Sequence, residues 1–284
     1  MTSFSLDRLT ILGDMNEDLE NLIRYLEYGV LLNRIRSAYP YEYAYTIPGG
    51  KGIIQVARKD AKVPQIRFEF NPKHSKDPEI FDLYRSIIGY LKNVYCTRAD
   101  LAFDYEEDLE GMRWIDYLGR PGSMFWGGAG DTQTYYVGGA SSKLQIVTYN
   151  KRAERASKMG LPEETISSED WWRIEARLDK DEVSNFLDDD SYNPFNDAVP
   201  YSTIPLGMNT LKATDKITLL GLLTPEGKTI LADVSFPTRK KYKKMLETYT
   251  MPLPIDIKGD FEDAKKDLRQ QVYRWLNYAR VVVS

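Results

Sequence analysis

The stretch TRADLAFDYE, residues 97–106, decides the fold prediction because apolar and charged side chains alternate along it. In a β-strand Leu101 and Phe103 point to one face, whereas Arg98, Asp100 and Asp104 point to the other. A strand with one wet face is the ordinary explanation of such alternation. Aspartate is disfavoured in strands, however, so two aspartates on one face favour a functional surface.

Three other stretches show the same alternation: QIRFEF (65–70), LQIVTYNK (144–151) and WWRIEARLD (171–179). If these strands pair, their polar residues converge on one face of the sheet; the candidates are Arg67, Glu69, Tyr149, Lys151, Arg173, Glu175 and Arg177. Three or four carboxylates without histidine suit Mg²⁺ or Mn²⁺, which prefer oxygen ligands.

The rest of the chain supplies the other layers of the fold. Hydrophobic periodicity predicts further strands over 6–13, 43–48, 52–57 and 132–139 and helices over 16–39, 77–93 and 108–118. This order predicts an α+β fold, in which a central antiparallel or mixed sheet has helices on one face and a polar, catalytic opposite face. Mainly helical patterns follow a linker near 200–206, so we expect a catalytic domain over 1–203 and a helical region over 204–284.

The single histidine and single cysteine narrow the chemistry. His74 and Cys96 alone cannot build a catalytic triad or a histidine-rich zinc site. No GxGxxG or GxxxxGK[ST] motif is present, so nucleotide-binding loops are not expected. No apolar run is long enough for a membrane helix and no leader pattern opens the chain, so we expect a cytoplasmic protein without membrane contact.

Charge is unevenly distributed. The chain carries 38 Lys and Arg against 42 Asp and Glu, a net charge of −4, which on average argues against nucleic-acid binding. The segment RKKYKK (239–244) nevertheless concentrates five cations. Such a segment is either a solvated helix face or a local DNA-binding site; the phosphate-contacting residues would be Arg239, Lys240, Lys241, Lys243 and Lys244.

Tyr149 is a possible nucleophile because it shares the polar face with acids and bases. It is one of 20 tyrosines, and an ordinary surface tyrosine is the alternative. A phenol with a pKa near ~10 is a poor nucleophile by itself. A metal that polarises a phosphate, together with Arg98, Lys151 or Arg173 beside the phenolate, would make the attack coherent.

Five blocks in order resemble the trans-acting replication initiators of small rolling-circle plasmids of Gram-positive bacteria: RFEFNP (67–72), TRADLAFDYEEDL (97–109), YYVGG…KLQIVTYNKRAER (135–155), WWRIEARLDKDEV (171–183) and LLGLLTPEGK…RKKYKKMLE (219–247). The resemblance implies a homodimer that binds the plasmid double-strand origin, needs a divalent metal and recruits a host helicase. It also implies nicking of one strand in an exposed hairpin through a tyrosine joined to the 5′ phosphate, then strand transfer.

The resemblance also assigns residues. It implies that Tyr149 of VTYNK is the nucleophile, although Val147 replaces an arginine that relatives often carry. The acids that match the family blocks are implied as ligands of Mg²⁺ or Mn²⁺, namely Asp100, Asp104 and Glu175, with Glu69 as a possible fourth. Arg98 and Arg173 would orient these ligands or contact phosphate, and origin recognition would lie toward the C terminus.

Three alternatives remain open at this point. A conjugative-type relaxase or phage replication initiation factor would share the motifs but nick a different origin. A non-catalytic repressor on the same fold would bind DNA without nicking it. A plain α+β protein with a wet sheet face would show no sequence-specific DNA binding.

Overall fold

Two antiparallel sheets and a set of helices make up the computed structural model, which describes residues 1, 3–15, 19–58, 61–126, 132–167, 170–202, 211–249 and 255–281. The strands are β1 Ser3–Met15, β2 Asn33–Ile35, β3 Tyr41–Ile47, β4 Gly52–Ala57, β5 Ile66–Phe70, β6 Leu91–Tyr105, β7 Met112–Asp116, β8 Gly122–Trp126, β9 Thr132–Val137, β10 Leu144–Asn150, β11 Trp172–Asp179 and β12 Ala198–Ser202. The ten-stranded sheet has the order β2-β3-β4-β5-β1-β6-β11-β10-β9-β8, and β12 pairs with β7 separately.

The helices are α1 Leu19–Arg24, α2 Pro78–Gly89, α3 Lys151–Met159, α4 Glu163–Ile166, α5 Asp181–Asp188, α6 Ala213–Leu223, α7 Pro225–Asp233, α8 Phe236–Tyr249 and α9 Ile257–Val281. A π-helical turn, Tyr25–Gly29, extends α1, and short 3₁₀ turns cover Pro48–Gly50 and Pro72–Lys76. None of the helices within the described part of the chain combines the length and apolarity needed to cross a lipid bilayer.

The 15-residue strand β6 lies at the centre of the large sheet, between β1 and β11. The predicted division of its faces is confirmed, because Leu101 and Phe103 are completely buried in the apolar core. Helices α2, α5 and α9 belong to that side of the sheet; Val183 and Phe186 of α5 and Phe261 and Leu268 of α9 are all fully buried in the core. The predicted α+β class, with helices on the apolar face of the sheet, is therefore confirmed.

A β-bulge in β1 shapes the polar face. Leu6 pairs with Leu101 and Arg8 pairs with Asp100, so one extra residue, Asp7, is inserted between them. Leu6 and Leu9 are both buried although they are three positions apart. The inserted residue lets both leucines face the core while Asp7 and Arg8 leave it for the polar side.

Three predicted elements are wrong. The helix predicted over 16–39 ends at Gly29, and Asn33–Ile35 forms strand β2, because it finds a partner strand in Ala44–Thr46. The helix predicted over 108–118 does not form; its central part, Met112–Asp116, is strand β7. Its partner is β12, so the start of the predicted linker pairs as a strand instead of running free.

The helical C-terminal region is confirmed for the described residues by α6, α7, α8 and α9. The predicted boundary between residues 203 and 204 lies outside the described residues. Helix α9 packs against α2, β1 and β6, so the last helix of the chain contributes to the core of the sheet domain. Trp275 of α9 makes edge contacts with the rings of Phe70 and Tyr84 there.

Candidate active site

An open cleft of about 410 Å³ lies on the polar face of the large sheet. Strands β1, β6, β10 and β11 form its floor, and the first turns of α3 form one wall. Three of the four residues predicted to act in catalysis line it, together with two of the four predicted metal ligands; these are Arg98, Tyr149, Lys151, Asp100 and Glu175.

The charged groups of this face are buried to an unusual degree. The exposed fraction is 5% for Asp100, 8% for Asp104, 2% for Arg173 and 5% for Glu175. Charged side chains are almost never this buried unless they are paired or functional. A plain solvated sheet face does not account for such burial.

The sequence YNK places Tyr149 and Lys151 next to each other in space. Tyr149 is the next-to-last residue of β10, and the side chain of Asn150 accepts a hydrogen bond of 2.9 Å from the backbone N–H of Ala153, which caps the start of α3. Lys151 is the first residue of that helix, and Gly160 in the left-handed conformation ends it. The capped turn folds Lys151 back over the ring of Tyr149, with Nζ 5.3 Å from the ring centroid.

The hydroxyl group of Tyr149 has two polar partners. It donates a hydrogen bond of 2.7 Å to Oε1 of Glu175 and accepts one of 3.3 Å from Nζ of Lys151. Burial, and after it the negative charge of Glu175, raises the pKa of Tyr149 well above its usual value of 10.0. The phenol is therefore neutral at rest, and its proton already points at a carboxylate.

Lys151 is held by its own helix. Its ammonium group forms an ion pair of 2.9 Å with Glu154, and Glu154 also pairs with Lys158. Burial lowers the pKa of Lys151, while the hydrogen bond to Glu154 opposes that effect. A partly desolvated ammonium beside a phenol can stabilise the charge that develops on its oxygen.

Asp100 and Glu175 are the two predicted ligands that share the cleft. Each is also paired with an arginine, at 2.9 Å between Arg98 and Asp100 and at 2.9 Å between Arg177 and Glu175. Burial raises the pKa of Asp100 in spite of the hydrogen bond from Arg98, and the charge of Glu175 adds to the rise. A hard cation near these oxygens would relieve that repulsion, so the donor type fits Mg²⁺ or Mn²⁺.

Asp104 and Glu69 are not among the residues that line the cleft. Asp104 accepts hydrogen bonds of 2.6 and 2.8 Å from Arg173 and one of 3.1 Å from the indole of Trp171. Glu69 instead pairs with Arg67 at 2.6 Å. Within the described residues, no group of three or more His, Cys, Asp or Glu side chains is arranged to hold a metal ion.

Arg173 lies beneath the cleft and not within it. It pairs with Asp104 and also with Asp7, the residue inserted by the bulge in β1. Burial alone would lower the pKa of this guanidinium, but its hydrogen bond with Asp104 and the charge of Asp7 raise it instead. Because Arg173 is directly opposite Tyr149 in the β10–β11 ladder, this buried cluster fixes the strand that carries the tyrosine.

The basic segment lies on helix α8, and its residues differ in their surroundings. Lys240, Lys241, Lys243 and Lys244 are exposed. Arg239 donates hydrogen bonds of 3.1 Å to the carbonyl of Leu231 and 3.2 Å to that of Val234, at the end of α7. The four lysines thus present their charge to solvent, whereas Arg239 holds two helices together.

Sequence reasoning missed several residues that line the cleft, among them Asp7, Arg8, Tyr136 and Glu154. Glu154 could have been found, since it lies three residues after Lys151 on a capped helix. Tyr136 is placed by the alternation of its strand, but nothing else in the sequence distinguishes it from the other tyrosines. Asp7 and Arg8 both reach the polar face only because of the bulge in β1. Strict alternation would point one of these two neighbours to the polar face and the other to the core.

Comparison with known proteins gives the following similarities. No protein-family model matches the chain. A curated replication initiation protein from Staphylococcus aureus is 26% identical over 278 residues, which cover 95% of this chain and 84% of the relative. Another protein of that name from the same species is 28% identical over 214 residues, or 74% of this chain and 64% of the relative.

Among solved structures, a rolling circle replication initiator protein from Geobacillus stearothermophilus aligns with 99% of this chain and 98% of its own, at a TM-score of 0.44 and 14% identity. The curated relatives extend along nearly the whole chain, and they confirm what the motifs predict: this chain resembles the replication initiation proteins.

Proposed function

We propose that the protein is a rolling-circle replication initiator that binds a plasmid double-strand origin and nicks one strand with Tyr149. One observation carries the proposal: the Tyr149 hydroxyl is hydrogen bonded to both Glu175 and Lys151 within an open cleft of buried charges. The curated relatives named replication initiation proteins support the biological role.

The contacts suggest a division of labour in the nicking step. The phenolic oxygen of Tyr149 attacks the phosphorus atom while its proton passes to Glu175, which acts as the general base. The bond from phosphorus to the 3′ oxygen breaks, and that oxygen leaves with a proton taken from water. Lys151 stabilises the charge on the attacking oxygen, and the 5′ phosphate stays joined to the tyrosine.

A divalent metal is part of the proposal. Asp100 would hold Mg²⁺ or Mn²⁺ together with Glu175, and the ion would supply Lewis-acid polarisation of the attacked phosphate. Arg98 would orient Asp100 through their 2.9 Å pair. The contacts of Asp104 with Arg173 and of Glu69 with Arg67 favour structural roles for these two acids over ligation.

Origin binding is proposed for helix α8, where Lys240, Lys241, Lys243 and Lys244 would contact phosphate groups. The reverse attack of a free 3′ hydroxyl on the phosphotyrosine would re-form a phosphodiester, which is the strand transfer that ends a replication round. The homodimer, the host helicase and the cytoplasmic location stay predictions.

A denaturing gel tests this function. Wild-type protein is mixed with a supercoiled library of candidate origins and Mn²⁺, and a covalent protein–DNA adduct at one site is expected. Tyr149→Phe should abolish the adduct, whereas Tyr136→Phe, which alters another tyrosine of the same cleft, should retain it. Loss in Tyr136→Phe alone would move the nucleophile to Tyr136, and site-specific DNA binding without any adduct would indicate a repressor.

A further inference from the structure

A second depression, of about 520 Å³, opens beside the candidate active site. It is bounded by the start of β1, the 3₁₀ turn Pro72–Lys76 and helices α2 and α9. Three cations line it, Lys73, Lys76 and Arg274, and no carboxylate is among its described lining residues. That composition is notable in a chain with a net charge of −4.

The two depressions share a wall. Asp7 lines the candidate active site, Lys73 lines the second depression, and their side chains form an ion pair of 2.6 Å. A strand of nucleic acid that leaves the cleft over this pair would enter the second depression directly. The pair also connects the depression, through Asp7, to Arg173 below Tyr149.

Two of the three cations of the second depression, Lys76 and Arg274, are available to a ligand, whereas Lys73 is paired with Asp7. Lys76 is exposed, and within the described part of the chain its side chain has no ion-pair partner. Arg274 lies over the ring of Phe81, 5.7 Å from its centroid, and donates a hydrogen bond of 3.1 Å to the hydroxyl of Tyr278. Neither contact neutralises the guanidinium, so Arg274 is oriented while its charge has no acidic partner among the residues that the structure describes.

Aromatic rings lie among these cations. Phe4 and Phe81 are partly buried, and the indole of Trp275 is buried behind them. Cations that follow a backbone, together with rings against which bases stack, are the combination by which proteins bind single-stranded nucleic acid without reading its sequence. Gln271 adds an uncharged hydrogen-bonding group to the lining. The hydroxyls of Ser3, Ser5 and Ser75 also line the depression but already donate hydrogen bonds within the protein.

We infer that the second depression binds single-stranded DNA next to the cleaved bond, with Lys76 and Arg274 on phosphate groups and a base against Phe81. The inference rests on the proposed nicking function, because it gives the exposed strand a path out of the cleft. A free mononucleotide has the same chemistry, so the experiment must separate it from a strand.

The test measures the binding of a fluorescein-labelled oligo(dT) of about 20 nucleotides by fluorescence anisotropy. The full-length protein carries Tyr149→Phe so that no cleavage interferes. Adding Lys76→Ala and Arg274→Ala should weaken binding at least about tenfold. The slope of log affinity against log salt concentration should become shallower by about 1.4, since each single-strand phosphate contact contributes about 0.7 to it. The matched control adds Lys92→Ala and Lys266→Ala, two exposed lysines outside the depression, and should stay within about twofold.

The outcomes separate the two proposals. Equal oligo(dT) affinity in both double variants, with unchanged melting temperatures, would overturn the inference even where wild-type protein forms the tyrosine adduct. Displacement of oligo(dT) by dTMP at the same concentration at which the oligonucleotide binds would overturn it too, since the site would then be a mononucleotide pocket. Selective loss of oligo(dT) binding in a protein whose wild type never forms an adduct would support the depression as a strand site and reject nicking.

Discussion

The Tyr149 hydroxyl donates its hydrogen bond to Glu175 diagonally across the β10–β11 ladder, at 2.7 Å. The residue directly opposite Tyr149 is Arg173, and Glu175 is opposite Val147. The diagonal contact is possible because both side chains rise on the polar face, where the small side chain of Ala102 on β6 leaves room beside Glu175. The phenol therefore meets a carboxylate that is itself held by Arg177.

Replacing Glu175 with Gln should slow nicking because the amide cannot accept the phenolic proton. We expect single-turnover adduct formation to fall by about 10²–10⁴-fold, the usual contribution of a positioned base. Origin binding, measured by gel shift, should be unchanged. Glu182→Gln, a change of the same type on helix α5, serves as the control; an unaltered rate in Glu175→Gln would remove Glu175 from the mechanism.

If Tyr149 nicks DNA as proposed, Lys151 should make the reaction sensitive to high pH. Because burial lowers its pKa below 10.5, the ammonium loses its proton at a lower pH than an ordinary lysine, and nicking should decline as pH rises through that value. Lys151→Arg keeps its charge and should move the alkaline limb to higher pH. The measurement is the pH profile of adduct formation with a saturating hairpin substrate, and coincident profiles would contradict a role for the ammonium.

Asp100 should determine the Mn²⁺ concentration that nicking requires. Asp100→Asn removes a negative ligand, so half-maximal nicking should need at least about tenfold more Mn²⁺. The variant should fold normally, since burial already raises the pKa of this carboxyl and its ionisation is costly. An Mn²⁺ titration equal to that of wild type would show that Asp100 does not ligate the metal.

Asp104 should control stability instead. Asp104→Asn leaves Arg173 buried with one fewer anionic partner, and breaking such a pair costs about 3–5 kcal/mol of unfolding free energy. Burial opposes the Asp104 charge, but hydrogen bonds from Arg173 more than offset it and lower its pKa below 3.8. A lowered pKa stabilises the fold above the unfolded value and loses that effect as pH falls through the folded value.

The difference in urea unfolding between wild type and Asp104→Asn should therefore be full at pH 7 and shrink below about pH 4. A variant with wild-type stability at pH 7 but a raised Mn²⁺ requirement would instead identify Asp104 as a ligand.

Substitutions on helix α8 should distinguish a residue that contacts DNA from a residue that supports the fold. Lys241→Ala should weaken binding to all duplex sequences alike. The slope of log affinity against log salt concentration should become shallower by about 1, as expected for one phosphate contact. Arg239→Ala should instead lower the melting temperature, because it removes hydrogen bonds to the last carbonyls of α7. Equal salt dependence in Lys241→Ala and wild type would place the DNA on another surface.

The strands of the sheet could be predicted because burial imposes a period of two on their side chains. Ile66, Phe68, Leu101, Phe103 and Ile174 all face the core as expected. The failures lie where pairing overrides local preference. Asn33–Ile35 and Met112–Asp116 carry helical patterns, but each pairs as a strand. Met112–Asp116 has its partner far along the chain in Ala198–Ser202, and Asn33–Ile35 pairs with the next strand, Tyr41–Ile47; local periodicity reveals neither pairing.

The candidate site could be predicted as a set of strands but not as a set of contacts. Alternation brought Asp100, Tyr149 and Glu175 to one face, and the structure places all three at one cleft. It could not tell which arginine pairs with which acid. That pairing depends on the strand register and on side-chain reach, and it sets Asp104 apart from Asp100 although the two share a strand and a face.

The bulge in β1 is built around a residue that the β-ladder itself does not need. Without Asp7, Leu6 and Leu9 would be two positions apart, and ordinary alternation would take both to the core opposite Leu101 and Ala99. The extra residue therefore serves the polar face alone, where its carboxylate pairs with Arg173 and Lys73. Among variants of this protein, we therefore expect deletion of Asp7 to leave the core intact and to remove the same ion pairs that Asp7→Ala removes.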